Sequence, residues 1–332
     1  MKPLLACAAA SLGMVLTACG TQTEDALAPL QLTDAGAPAQ IAAAAPGGDA
    51  NGFELHATLP SAAPADAPVW RLPHASSADA PQVAGALGIP GRPTAVDGGW
   101  VTRYGAQRLA VRRDGSWSYG LDCSPNTPVQ QESLDVMCAS ASGGVAVSPD
   151  GGVVMPPPSP GPSATQARAL AAPVLSRLGW GDASLDVAIS APTTNVIARK
   201  NLDGHAVAGW TTTLDFDKDG KLTDANGWIG APTRGRAYPL ISASNAYKRL
   251  LAVPRAMPEI CQMRKDGKPG CEPIPPTVIT AATLGLALRH DLDRPLLVPA
   301  WLFTVQGSSE PLVAVAVDPR YLKPPASGTA PK

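Results

Sequence analysis

Charge is scarce in this chain: Asp, Glu, Lys and Arg make up 16% of its 332 residues, and the formal net charge is −1. Averaged over the molecule, that balance gives no electrostatic case for a nucleic-acid backbone or an anionic surface. Histidine is scarcer still. The four present, His56, His74, His205 and His290, have no metal-ligand spacing between them. Gly-x-Ser-x-Gly, a phosphate loop and His-Glu-x-x-His are all missing, so nothing in the sequence supports nucleophilic or metal-assisted hydrolysis. Cys-x-x-Cys is missing too, which argues against a structural zinc site. No apolar run reaches the roughly 20 residues of a membrane-spanning helix. Abundant instead are Pro, with 36 residues, and Gly, with 32.

The N-terminus carries a clear order of signals. Lys2 provides a positive start, Leu4 to Leu16 an apolar core, and small residues then lead into a cysteine. The run is too short, and its flanks wrong, for a spanning helix, so it reads as a cleavable export signal. Leu16-Thr17-Ala18-Cys19 resembles the lipobox of bacterial lipoproteins. In that family the cysteine takes a diacylglyceryl group on sulfur, becomes the new first residue and can be acylated on its amine. The resemblance makes Cys19 the lipidated residue and places the chain on the outer, extracytoplasmic face of a cell membrane. Two or more acyl chains anchor stably where one is marginal.

Export changes how the other cysteines are read. Cys7 leaves with the signal and Cys19 is lipidated, which leaves Cys123, Cys138, Cys261 and Cys271. An even number in an exported chain favours disulfides. Three pairings exist. The economical one joins the two local couples, Cys123–Cys138 and Cys261–Cys271, each closing a short loop worth roughly 3 kcal/mol in the chain-entropy model.

Composition and periodicity divide the rest. After a signal at 1–18, residues 19–68 read as the lipidated cysteine and a flexible Ala/Pro/Gly tether, with edge strands near Phe53 and Val69. A first unit spans 69–147: a short helix from Pro81 to Gly88, a strand from Trp100, and a hairpin from Arg108 to Tyr119 turning at Asp114-Gly115. Residues 148–163 form a Pro-rich linker. The second unit, 164–322, opens on a helix with Ala167, Leu170, Val174 and Leu178 at helical spacing, which Pro173 should kink or delay. Short strands follow at Leu185 and Asn195, and a longer one from Trp210 to Phe216. Ser242 is the expected N-cap of a helix from Ala243 to Leu251. Strands at Val278–Arg289, Leu296–Val305 and Pro311–Val317 close the unit, and 323–332 reads as a disordered tail. Both units run from a short helix ending Leu-Gly into Trp-bearing strands with an Asp-Gly turn. The pattern suggests a distant duplication. The expected fold class is α+β, with antiparallel sheets each carrying a short helix.

Two stretches invite a site. Asp215-Phe216-Asp217-Lys218-Asp219-Gly220 meets the first, third and fifth acidic positions and the Gly of a calcium loop. Position twelve is Asn226, however, and the flank alternates like a strand, so an ordinary hairpin turn competes with calcium through Asp215, Asp217 and Asp219. His290-Asp291-Leu292-Asp293 offers a His–carboxylate pair, or simply a polar turn between strands. Trp301 with Phe303, and Trp210 with Leu214 and Phe216, share strand faces that either fill a core or line a small apolar pocket.

Gly209-Trp210, Asp219-Gly220-Lys221-Leu222, Gly227-Trp228, Tyr238-Pro239-Leu240-Ile241-Ser242 and Leu297-Val298-Pro299-Ala300-Trp301 together resemble a group of actinobacterial lipoproteins. The Tyr-Pro stretch before a helix is similar to the helix start of PepSY-like domains. Val-Pro-Ala-Trp is similar to a late strand in membrane-anchored regulators of a cell-wall histidine kinase. These resemblances imply a non-enzymatic module that binds an envelope protein partner, with no cofactor and no nucleic acid. The alternative is a small-ligand-binding lipoprotein using a Trp-bearing sheet face.

Overall fold

The computed structural model describes residues 27–33, 52–122, 160–252, 260–263, 269–272, 276–291 and 294–323, with 260–263 and 269–272 described by backbone only. In chain order the elements begin with β1 (Leu32–Thr33), β2 (Phe53–Leu55), β3 (Asp66–Arg71), α1 (Asp79–Leu87), β4 (Thr94–Val96), β5 (Gly99–Tyr104), β6 (Gln107–Arg112) and β7 (Ser116–Leu121). Next come α2 (Ala164–Arg177), β8 (Ser184–Ser190), β9 (Thr193–Leu202), β10 (His205–Phe216), β11 (Leu222–Trp228) and β12 (Thr233–Pro239). The last are α3 (Ala243–Ala252), β13 (Ile260–Met263), β14 (Pro269–Glu272), β15 (Thr277–Asp291), β16 (Arg294–Val305) and β17 (Leu312–Val315). The fold is α+β, a mostly antiparallel large sheet carrying three helices among the described residues.

The same plan runs twice, a helix followed by a four-stranded meander. α1 leads into β4–β7 and α2 into β8–β11, and the fourth strands of the two meanders pair antiparallel, Ala225 opposite Tyr119 and Gly227 opposite Trp117. An eight-stranded array results, in the order β4-β5-β6-β7-β11-β10-β9-β8. The Pro-rich boundary at 148–163 therefore divides the chain in sequence and not in the sheet.

β10 then joins this array to a second one. β9 pairs with β10 at His205–Ala206 and again from Thr211 to Phe216, while Val207 and Ala208 pair in parallel with Leu286 and Ala287 of β15 and Thr213 to Phe216 pair with β11. The β9 pairing is interrupted around Gly209, whose φ of +81° is a backbone that residues with a Cβ rarely adopt. Beyond β15 lie β16, β3 and β12, with β17 on β16 and both β1 and β2 on β15.

Helix ends follow local rules. α1 stops at Gly88, left-handed at φ 71°, where the N–H of Ile89 donates to the carbonyl of Ala84 at 2.9 Å. α2 starts two residues ahead of the expected Gln166 because Ser163 and Gln166 form a capping box. Pro173 is accommodated on the helix's exposed side. The buried stripe is Ala167, Ala171 and Leu175, while Leu170, expected on the buried face, is 38% exposed. At α3 the Ser242 hydroxyl accepts from the Asn245 N–H at 3.3 Å, as its N-cap role requires.

Two main cores result. α1 and α2 cover Leu109, Trp117, Val196, Trp210 and Leu214 on one face of the eight-stranded array, with Trp180 tilted against Trp210 at 5.0 Å between ring centroids. α3 packs on Trp301, Phe303, Leu312 and Ala314 of the other array. Along β17 and just past it, Leu312, Ala314 and Ala316 are buried against the α3 core, Val313 and Val315 are half-buried, and Val317 is buried elsewhere in the body.

Part of the expected tether is also integral to the body. Phe53 is 1% exposed and β2 pairs with Thr277–Ile279. Leu30 is 6% exposed, and its N–H donates to the carbonyl of Tyr321 at 2.8 Å. The apolar Leu30 and Phe53 explain the docking, since alanine and proline alone could not offset the ordering entropy.

Candidate functional site

A third, smaller core of Leu30, Val69, Tyr238, Leu296, Val298 and Val317 lies where β3, β12, β16 and the N-terminal segment converge. Over it opens a cleft of about 400 Å³. Buried Leu30, Val69 and Leu296 line its floor, and its rim carries Arg71, His74, Arg236, Asp291 and Arg294. Three guanidinium groups against one carboxylate make the rim cationic in a chain whose net charge is −1.

The rim arises from a local irregularity. β12 pairs with β3 in register at Thr233 opposite Arg71 and Arg234 opposite Trp70, then resumes at Ala237 opposite Pro68. Gly235 and Arg236 together stand opposite the single residue Val69, a bulge, and glycine is required there: a Cβ on Gly235 would lie 2.7 Å from the carbonyl oxygen of Val69. In a regular strand Arg234 and Arg236 would share a face. The bulge separates them. Arg234 lies over the Trp70 ring at 5.8 Å, in a smaller groove on the opposite side, and Arg236 lines the cleft.

Hydrogen bonds fix the cleft's walls. The Asp291 carboxylate accepts from the Gln31 N–H at 2.8 Å, and the Tyr238 hydroxyl donates to the carbonyl of Ala28 at 2.9 Å. Burial pushes the Tyr238 phenol above its ordinary range, with Arg236 and Arg71 opposing and Asp291 reinforcing, so at neutral pH it keeps its proton and remains a donor. The His74 ring meets the carbonyl of Arg113 at 3.2 Å. The guanidinium groups of Arg71 and Arg294 carry no hydrogen bond or ion pair among the described residues.

The acidic turn is built differently from a calcium loop. Asp215 lies in β10, where its carboxylate accepts from Asn195 Nδ2 at 2.8 Å. Asp217 turns inward and accepts from the N–H groups of Asp219 and Lys221, both at 2.9 Å. Asp219 pairs with Lys218 at 2.7 Å. The three carboxylates are spent separately on strand, turn and surface, and no group of three His, Cys, Asp or Glu among the described residues could hold a metal ion. The hairpin-turn reading describes the stretch.

Asp215 does gain an unforeseen neighbour, because the β10–β11 register sets it opposite Asp224. Gly120 leaves room for that carboxylate: a Cβ there would lie 2.2 Å from Asp224 Oδ1. Partial burial raises the Asp224 carboxyl above the usual range and the Asp215 charge raises it further, although the residue as a whole is exposed to solvent. Asp215 is raised by burial too, against the Asn195 hydrogen bond. Raised carboxyls contribute stability that is fully present below the unfolded value and lost as pH rises through the folded one. Asp224→Asn is accordingly expected to melt higher than the parent chain at pH 7. The gap should close near pH 3, below the ordinary aspartate range. Melting curves across that interval check it, and a variant that melts lower at pH 7 would refute the repulsion.

Of the remaining expected site residues, Cys19, Cys123 and Cys138 lie outside the described residues. Cys261 stands opposite Cys271 in the β13–β14 register, the backbone placement that the expected pairing requires. His290 lies 6.3 Å from the Trp228 ring, between centroids, while Asp291 turns to the cleft and Asp215 belongs to the other array. The tryptophans expected to line a ligand face are interior: Trp210 is 4% exposed and Trp301 2%. Sequence reasoning missed the cleft, whose rim draws on Arg71, Arg236 and Arg294, far apart in the chain. One signal was present in Arg234-Gly235-Arg236, since an isolated glycine in a strand marks a bulge.

The chain is thus a mixed α+β protein with a cationic cleft at the margin of its sheet. No protein-family model matches it, and the search of curated proteins gives no match. Among solved structures it is similar to the Bacillus megaterium YpeB C-terminal domain, at 12% identity and a TM-score of 0.29, over 71% of this chain and 90% of that one. YpeB is a PepSY-containing protein, and the structural match to it is distant.

Proposed function

We propose that the chain is a lipoprotein anchored through Cys19 on the outer face of a cell membrane, where it acts as a binding or regulatory module with no chemistry of its own. Its cleft receives an anionic group presented by an envelope partner. The observation that carries this reading is the rim: exposed arginines meeting over an apolar floor, an arrangement suited to orienting a negatively charged group. The lipobox-like start and the resemblance to actinobacterial lipoproteins support the location. Dispersal of Asp215, His290 and Asp291 fits a binding role better than a catalytic one.

A second reading, small-ligand binding, is favoured by the cleft's volume of about 400 Å³, within the range typical of small-molecule pockets. It moves from the tryptophan face, which is interior, to the cleft.

A photo-reactive residue in place of Arg236, in cells, tests the site. It should give a discrete adduct that the same residue at Ile189, exposed on the far array, does not. Identical products from both positions would overturn the assignment of the cleft.

A further inference from the structure

The cleft lies beside the first described segment of the chain. Leu30 forms part of the floor, its carbonyl accepts from the Lys323 N–H at 2.8 Å, and Gln31 is tied to Asp291. Leu27, where the described chain begins, follows Cys19 by eight positions. Fully extended, that stretch covers at most roughly 26–29 Å. An anchor on Cys19 therefore holds the start of the body, and the cleft that Leu30 helps to floor, close to the lipid surface.

We infer that the cleft binds the phosphate of an anionic phospholipid headgroup in the leaflet that holds Cys19. The inference rests on the reading of Cys19 as the anchor. Arg71 and Arg294 supply the recognition, because a guanidinium presents paired N–H donors that match two phosphate oxygens. Tyr238, kept protonated, secures the segment that forms the near wall. The apolar floor of Leu30, Val69 and Leu296 faces the less polar part of the bound molecule. Tethering makes the encounter effectively intramolecular, so even a weak site is occupied at the surface. Basic pockets at a membrane take up anionic headgroups in this way. Occupancy fixes which side of the body faces the lipid, and so gives the anchored module a defined orientation. The whole-chain charge of −1 conceals the site, since the fold gathers cations from three distant segments.

Vesicle co-sedimentation of the processed chain carrying Cys19→Ser tests this without help from the anchor. Phosphatidylglycerol vesicles should retain the protein at least tenfold better than phosphatidylcholine vesicles. Arg71→Glu with Arg294→Glu should abolish that preference, and the milder Arg71→Gln with Arg294→Gln should weaken it severalfold at an unchanged melting temperature. A control of equal charge change, Arg168→Glu with Lys248→Glu on the exposed sides of α2 and α3, should leave it intact. Equal retention on both vesicle types, or equal loss in cleft and control variants, would overturn the proposal. So would binding of free glycerol phosphate without retention on vesicles. None of these results depends on whether Cys19 is acylated, so failure here leaves the anchoring question separate.

Discussion

Replacing Trp301 with alanine is expected to lower the free energy of unfolding by about 3–5 kcal/mol, the range for emptying a buried tryptophan site. The indole is 2% exposed and belongs to the core between α3 and the β15–β16 hairpin. Its Nε1–H donates to the carbonyl of Ile241 at 3.0 Å, just before the helix begins. Truncation removes the packing and also leaves that carbonyl without its donor, which adds to the cost. Ile241 is held on its other side as well, its N–H donating to Ala316 at 2.7 Å, so the site has little freedom to collapse. Against a total stability of about 5–15 kcal/mol the loss is large. Urea denaturation with an unchanged slope reads it directly. Tyr104→Ala, at a residue 56% exposed, should change stability by under about 0.5 kcal/mol. Similar losses at both positions would contradict the assigned core.

The second large effect is expected where the two arrays join. Gly285→Ala should cost about 1–3 kcal/mol by overpacking. A Cβ at Gly285 would lie 2.6 Å from the carbonyl oxygen of Ala206 and 2.5 Å from Leu302 Cδ1. Leu302 can adjust, but the carbonyl belongs to β10 close to its parallel pairing with β15. Relief of the contact must therefore loosen the seam between the arrays. Amide exchange at Val207 and Ala208 should speed up in the variant, while exchange at Ala225 and Asn226, in the eight-stranded array, should change little. Uniform acceleration across both groups would show that the seam is not where the strain falls.

These positions also show what could be read without coordinates. Strand alternation placed Trp210, Leu214 and Phe216 on one face, and the Asp114-Gly115 turn fixed a hairpin, because both signals are local. A helix leading into strands in each half was legible for the same reason, although β4 and β11, which complete the two meanders, were not read. Ser163 and Gln166 also spell a capping box, a local signal that sets the start of α2 independently of Pro173. Which face of the last strand meets α3 is decided only by the packing partner: Leu312, Ala314 and Ala316 turn to the helix, whereas Val317 enters the third core. An edge strand near Phe53 was legible but not its partner β15, and Leu30, in an Ala/Pro-rich background, docks through Tyr321, hundreds of positions away. The cleft was least legible of all. Arg71, Arg236 and Arg294 meet only after β3, β12 and β16 pair, and whole-chain charge argued against any cationic feature.

Anchoring through Cys19 is the property on which the proposed role depends most, and metabolic labelling with a fatty acid tests it most directly. The unmodified chain should incorporate the label, and Cys19→Ser should incorporate none. Label persisting on the serine variant, or missing from the parent chain, would contradict a lipid-anchored module.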